Sequence, residues 1–473
     1  MKTKIMIALL TITLAACAPA QTAMPVSTTT FTPVVESPII LPTFTPNVER
    51  PTPLPTFTAK PFFSPIPFPT LPPSPTPTVT PTLLPLPAVP PKFPLDGYVM
   101  LFAKDGDLYF QDGENISIKL THIGGKAASS STAIFSDDSK KVVFFREGNY
   151  GDIYSINVDG SHEQLIVKDR PLAEYTGVYS QFIPNTHILL FNTYQCEKRG
   201  ETTLCATGLS SVDTDTTEIK ELVKPDKVGL YTTLSNFSAS PDGNLIAVVY
   251  PGYIDILDIN GKAIRRNVIP YTPSPSSYKT FPFPNEFWLP NSSGLTVIVP
   301  DSDTFVAGFD VPAYSVWRYD IDTAAATRIS LTPSLVDNPV ATCGGYHVSP
   351  DGKWILYYGS EDYTLDPFSG TYSLYIGDIR NGQVQRYDML YCKGPSWGPD
   401  SKHFFYGNRL GAIDKPSIGI RTPEFMEWVD KFHFIFPDDN HEKTLVAEIK
   451  GDAVVFFELG ISYFDLVTIK PKR

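Results

Sequence analysis

The sequence predicts an all-β chain: a β-propeller of four-stranded blades behind a disordered, Pro/Thr-rich stalk. Three observations predict it. A Pro-Asp-Gly type of turn recurs before a dense apolar strand, a second Asp/Asn-Gly turn follows each dense strand, and composition breaks sharply near residue 95. Internal repeats of this period are the primary signature of ring and solenoid architectures.

The amino terminus comes first. Met1-Lys2-Thr3-Lys4 is short and positively charged, and an apolar run from Ile5 to Ala16 follows. That run is too short to cross a hydrocarbon layer of roughly 30 Å as a helix. A charged start, a short apolar core and small residues at the end predict a secretory signal peptide over residues 1–16. The run ends Leu14-Ala15-Ala16-Cys17, which resembles the bacterial lipobox. The resemblance implies cleavage before Cys17 and diacylation of its thiol. At about 0.8 kcal/mol per buried methylene, two or three acyl chains hold a protein firmly where one does not. The expected address is the cell membrane or the outer membrane, with the chain facing periplasm or exterior. Ala18, rather than Asp, resembles the pattern of lipoproteins sent on to the outer membrane of diderm bacteria.

Residues 17–94 form the expected linker. Residues 18–94 hold 23 of the 46 prolines, interleaved with Thr and Ser, as in Pro51-Thr52-Pro53-Leu54-Pro55. Proline fixes φ and lacks an amide donor, so neither a helix nor a central strand forms. At about 3.1 Å per residue in polyproline II, such a segment spans on the order of 200 Å. It is expected to act as a spacer. Lys2 and Lys4 carry +2 and residues 18–94 carry +1, which leaves −15 of the total −12 on residues 95–473. An acidic domain argues against nucleic acid as a partner, because phosphate backbones reward basic patches.

The domain at 95–473 carries the repeat. Its first anchor reads Ser136-Asp137-Asp138, Ile183-Pro184-Asn185, Ser240-Pro241-Asp242-Gly243, Leu289-Pro290-Asn291, Ser349-Pro350-Asp351-Gly352 and Gly398-Pro399-Asp400. Positions 137, 184, 241, 290, 350 and 399 are spaced 47, 57, 49, 60 and 49. The second anchor ends a strand at Asp or Asn before a polar turn, as in Ile256-Leu257-Asp258 with Asn260-Gly261. Pro sets the entry φ, while Asn, Asp and Gly tolerate positive φ. A repeat near this length with about four strands is the blade signature. The longer gaps place insertions at 195–207, 271–286 and 361–371. A degenerate unit starts at Trp428-Val429-Asp430. The front fragment at 98–120 has about three strands, and the terminal run from Ser462 to Ile469 is expected to supply its missing strand and close the ring. Closure removes open sheet edges. Seven blades are the favoured count, with eight as the alternative.

These anchors resemble the Pro-Asp repeats of TolB-like β-propellers, also called WD40-like PD40 repeats, over roughly residues 98–470. The resemblance implies architecture and leaves the ligand open. Asp137 stands where Pro is usual, two copies carry Asn, and the last unit is loose.

Four cysteines remain beyond Cys17, in keeping with an oxidising compartment. Cys196 and Cys205 flank an expected hairpin tip at 197–200. Cys343 and Cys392 each fall seven residues before a repeat Pro. Pairings 196–205 and 343–392 are the candidates among the three that four cysteines allow. No CxxC or neighbouring His suggests a metal, and no cofactor is expected.

Motif searching finds no Gly-x-Ser-x-Gly elbow, zinc helix or phosphate loop. His347 and His403 sit in strand anchors, where hairpin or core roles are expected. Asp105-Gly106-Asp107 and Asp213-Thr214-Asp215 resemble fragments of calcium loops without the full spacing. Tyr253, Tyr271, Tyr278, Phe281 and Phe283 lie in or beside Pro-rich insertions and suit sugar or protein contacts if exposed. The expected role is non-enzymatic binding of a protein or envelope polymer. The alternative is a carbohydrate-active or lyase-type propeller enzyme using channel carboxylates, and the sequence offers no way to choose the pair.

Overall fold

A computed structural model describes residues 83–84, 90–122, 133–146, 149–168, 180–199, 202–225, 236–272, 284–305, 312–332, 335–336, 346–359, 371–391, 394–420, 426–438, 440, 442–451, 453–462 and 465–472. Cys17, Cys343, Cys392, Tyr278, Phe281 and Phe283 lie outside the described residues.

The described strands form eight antiparallel four-stranded units. Blade 1 runs, in sheet order, Leu466–Pro471, Tyr98–Lys104, Asp107–Asp112 and Ile118–Lys119. Blade 2 spans residues 133–167, blade 3 residues 180–223, blade 4 residues 236–265 and blade 5 residues 285–329. Blade 6 spans residues 346–391, blade 7 residues 396–420 and blade 8 residues 427–458. The favoured count of seven is therefore corrected to eight. The reason is that the loose unit at Trp428 is a full four-stranded blade: its turn lacks Pro, yet Asp430 accepts the Phe432 and His433 amides at 2.7 and 2.9 Å as Asp400 accepts those of Lys402 and His403 in blade 7. The closing strand behaves as expected, with Met100 opposite Ile469 and Val99 opposite Lys470.

Side-chain alternation explains why the ring closes. Each blade is sandwiched between two others, so its central strands are buried on both faces and read as unbroken apolar runs. In blade 4, Ile246 and Val248 pack on Ile183, Leu190 and Leu209 of blade 3, while Ala247 and Val249 pack on Leu295, Val297 and Val299 of blade 5. Eight such clusters occupy the eight seams, and the last joins Val429, Ile435 and Val446 of blade 8 to Met100, Phe102 and Ile469 of blade 1. Each fully buried Leu, Val or Phe contributes about 1.5–3 kcal/mol.

Within a blade, let A be the innermost strand and B, C and D those that follow outward. The A–B turns repeat one hydrogen-bond network. Ser240 Oγ donates to Asp242 Oδ1 at 2.5 Å and accepts the Leu245 amide at 2.9 Å. Ser349 repeats this with Asp351 and Trp354, and Ser136 with Asp138 and Lys141. The next blade joins in: Ser292 Oγ accepts the Asp242 amide and Ser401 Oγ the Asp351 amide, at 3.0 and 2.9 Å. Gly243 is required at its turn, since φ is +74° and a Cβ would lie 2.5 Å from the Pro184 carbonyl oxygen of blade 3. The inner strands are also tied. Trp288 Nε1 donates to the Ser238 carbonyl and Trp397 Nε1 to the His347 carbonyl, at 3.1 and 2.8 Å, each reaching back one blade.

Described residues before blade 1 also pack on the ring. Leu83–Leu84 pairs in parallel with Gly419–Ile420 on the outer strand of blade 7. Glu458, on the outer strand of blade 8, donates its amide to the Pro91 carbonyl and accepts the Phe93 amide. Phe93 is buried in the seam between blades 8 and 1, against Tyr98, His433 and Phe457.

Candidate functional site

An antiparallel meander puts A–B and C–D turns on one face and B–C and D–A connections on the other. The two faces differ. The A–B turn is five residues long in every blade from 2 to 7. The D–A connections range from four residues between blades 6 and 7 to nineteen between blades 4 and 5. Blade 3 lengthens its B–C hairpin by extending both strands to twelve residues, and the expected insertion at 195–207 is this paired ribbon rather than a loop. Blades 5 and 6 are joined on the same face by Leu335–Val336, which pairs with Ala313 and Tyr314 on one side and Tyr358 and Gly359 on the other. One face thus keeps its connections at two to six residues and is bonded from blade to blade; on the other, variable face they range from two to nineteen between described strands.

At the channel rim of the variable face, the first residues of the inner strands form a polar chain. Asn236 Nδ2 of blade 4 donates to Glu286 Oε2 of blade 5 at 3.2 Å. Asn285 of blade 5 makes the equivalent bond forward, to the Tyr346 hydroxyl of blade 6. Glu286 is 6% exposed, and its Oε1 and the nearby Ser238 Oγ have no hydrogen-bond partner. Burial pushes its carboxyl up to about 7, against hydrogen bonds that pull the other way. A neutral acid avoids the cost of an unpaired buried charge.

Farther out on this face, a second cluster spans blades 6 and 7. Tyr406 Oη, Arg409 Nη1 and Ser417 Oγ all donate to Asp388 Oδ2, at 2.5, 2.6 and 3.1 Å. Burial, and then the bond to Asp388, drive the Tyr406 hydroxyl far above its usual range. Beside them Tyr387 Oη donates to the Lys415 carbonyl and accepts the Ala412 amide, with burial raising its pKa to about 12. The carboxylate is held by donors of its own chain, an arrangement that locks a seam. On blade 4, Tyr253 is 37% exposed and stacks on Tyr250 at 4.8 Å, and Tyr271 donates to the Tyr250 carbonyl.

The other expected residues fall into structural places. His403 Nδ1 contacts Asp400 Oδ2 at 2.6 Å within its own A–B turn. His347 is largely buried, which lowers its pKa, and it serves the Trp397 bond through its carbonyl. Asp107 pairs with Lys119 at 2.7 Å, and Asp213 Oδ1 accepts the amides of Asp215 and Thr216. Asp215 pairs with buried Lys141 at 2.7 Å and with His187. Both Asp-x-Asp fragments therefore build turns. Among the described residues, no three His, Cys, Asp or Glu side chains converge as metal ligands. Glu286, Asn285, Tyr346 and Asp388 escaped sequence reasoning. The signal that finds the first is register: Asn236 and Asn285 are the matching first residues of their inner strands, and Glu286 stands one place on.

The chain is an eight-bladed β-propeller. No protein-family model matches the sequence, and comparison with curated proteins finds no match. Solved structures with a similar fold include an oligogalacturonate lyase in complex with manganese, at 15% identity and TM-score 0.39 over 69% of this chain and 86% of that one. Dipeptidyl peptidase 4 of Porphyromonas gingivalis shows 12% identity and TM-score 0.42 over 69% of this chain and 53% of its own length. A putative TolB from Agrobacterium tumefaciens shows 18% identity and TM-score 0.28 over 51% of this chain and 79% of that one. At such similarity the propeller assignment rests on the strand pairing described above, and no activity transfers with the fold.

Proposed function

We propose that this chain is a cell-envelope lipoprotein whose propeller binds a protein or an envelope polymer through its variable face, without catalysing a reaction. One observation carries the proposal: connections between described strands reach nineteen residues on one face of the ring, while those on the opposite face stay at two to six residues and three of its turns share one hydrogen-bond network. Loops on a rigid scaffold are where recognition residues are placed. The exposed Tyr253 on blade 4 and the rim Asn285 offer the aromatic and amide groups that suit a glycan or a polar protein surface. In this reading Cys17 is the lipidated residue, and the Pro/Thr stretch carries the ring away from the membrane.

The enzymatic alternative needs a carboxylate free to act near the channel. The Asp388 cluster does not favour it, because three donors already converge on one of its oxygens. The test is to crosslink the full-length protein in its native cells and identify what is recovered with residues 95–473. A macromolecule should be enriched, and replacing the long D–A connections with short ones should abolish its recovery. Degradation of a glycan with no macromolecule enriched overturns the binding reading. Separately, Cys17→Ala should move the protein out of the membrane fraction, and retention there overturns the anchor.

A further inference from the structure

Among the described residues, the B–C hairpin of blade 3 runs on past the inner and outer strands of its own blade. Ile188–Arg199 and Thr202–Asp213 pair residue for residue along their whole length, with no register shift. The inner strand of the blade reaches only Phe191, and the outer strand only Leu209. Beyond Thr193 and Gly208, where the Val223 carbonyl and Pro225 still lie beside Gly208, no described strand pairs with the ribbon. An isolated two-stranded ribbon is marginal in water. Equivalent strands of blade 4 stop after six residues, so the blade 3 ribbon extends past them by roughly 20 Å at about 3.3 Å per residue.

In the middle of this ribbon, Cys196 stands directly opposite Cys205. The kind of pair they form follows from parity. Antiparallel pairs alternate between hydrogen-bonded and non-hydrogen-bonded types. At the base, the Thr214 amide donates to the His187 carbonyl at 3.0 Å, so positions 187 and 214 are of the hydrogen-bonded type. The register runs unbroken from there to Arg199 opposite Thr202, and nine steps from His187 make 196 and 205 a non-hydrogen-bonded pair. Such pairs hold their Cα atoms about 4.5 Å apart, with both residues on one face. Disulfides span Cα separations of about 4.4–6.8 Å.

We propose that Cys196 and Cys205 are a modification site: a cross-strand disulfide that staples the projecting ribbon of blade 3. Formation is a two-electron oxidation by an external disulfide. One thiolate attacks that disulfide and expels a thiolate, giving a mixed disulfide. The second thiolate then attacks the protein sulfur and releases the other half. The S–S bond is gained, the oxidant is reduced to two thiols, and the two protein protons pass to the leaving thiolates. The staple stands independently of which ligand the variable face binds.

The test uses the purified full chain equilibrated with oxidised glutathione, blocked with N-ethylmaleimide, unfolded and digested with trypsin. Trypsin cuts after Lys198 and Arg199, between the two cysteines, so a stapled hairpin yields a peptide pair that separates only on reduction. The 196–205 linkage should exceed any linkage to Cys343 or Cys392 by at least tenfold. Recovery of Cys196 and Cys205 as alkylated thiols, or linked to the other two, overturns the proposal. In the native protein, a Cys196→Ser/Cys205→Ser variant should keep the thermal transition of the blades yet be nicked at Lys198–Arg199 several times faster. An unchanged nicking rate at an unchanged transition also overturns it.

Discussion

Asn236 Nδ2 donates to Glu286 Oε2 at 3.2 Å across the seam between blades 4 and 5, and the other oxygen of Glu286 meets no partner. The bond runs from the first residue of one inner strand to the second residue of the next. It leaves a buried carboxyl whose burial raises it to about 7.

Stability should therefore fall as pH rises through Glu286. Below pH 4.5, its ordinary value, the group is largely neutral in the unfolded chain as in the folded one. Between 4.5 and about 7 the unfolded chain ionises first and binds fewer protons, so the folded state loses ground; above that the loss is complete. The total is roughly 3 kcal/mol, at about 1.4 per pH unit. Glu286→Gln should match the wild type below pH 4.5 and exceed it by up to that amount at pH 8, measured by urea denaturation. Equal pH slopes in both proteins would falsify this account.

Asp388 and Arg409 should prove strongly coupled. Removing one partner strands a partly buried charge, which typically costs about 3–5 kcal/mol when burial is complete. With both side chains about one-fifth exposed, Arg409→Met should cost about 2–3 kcal/mol. Adding Asp388→Asn should recover at least about 1 kcal/mol of it. Additive losses in a double-mutant cycle would show that the pair does not act as a unit.

Gly243 and Gly97 offer a paired test of backbone against packing. Both have positive φ, at +74° and +84°, but a Cβ on Gly97 meets open space whereas one on Gly243 meets the Pro184 carbonyl. Gly97→Ala should cost about 1–2 kcal/mol, the left-handed penalty alone. Gly243→Ala should cost clearly more, because blade 3 must shift. Thermal unfolding of the two variants decides the order.

Trp288→Phe and Trp397→Phe should each cost about 1–3 kcal/mol, through the lost bond to the preceding blade and the smaller ring. The two seams share no partner, so the double variant should show the sum within about 0.5 kcal/mol. A large departure from additivity would mean that strain passes around the ring.

Much of this architecture was legible in the chain itself. Ser240-Pro241-Asp242-Gly243 encodes its own turn, because Pro sets one dihedral, Gly another, and the Ser and Asp side chains satisfy the local amides. The front fragment at 98–120 lacked a strand, and the carboxyl terminus supplied it. The blade count went astray at the unit after Trp428, whose turn lacks Pro and is one residue shorter, so its full set of four strands shows only in the pairing.

The sequence by itself determined the strands, their turns and the two-faced burial of each blade, since φ preferences and period-two alternation act within a few residues. Only the tertiary structure decided which residues meet across a seam. Asn236 reaches Glu286, and Arg409 reaches Asp388, through the angle at which successive blades pack, and that angle is fixed when eight of them close the ring. The opposition of Cys196 and Cys205 lies between these cases. Their spacing suggested a hairpin, and the unbroken register from His187 to the tip fixed the pair.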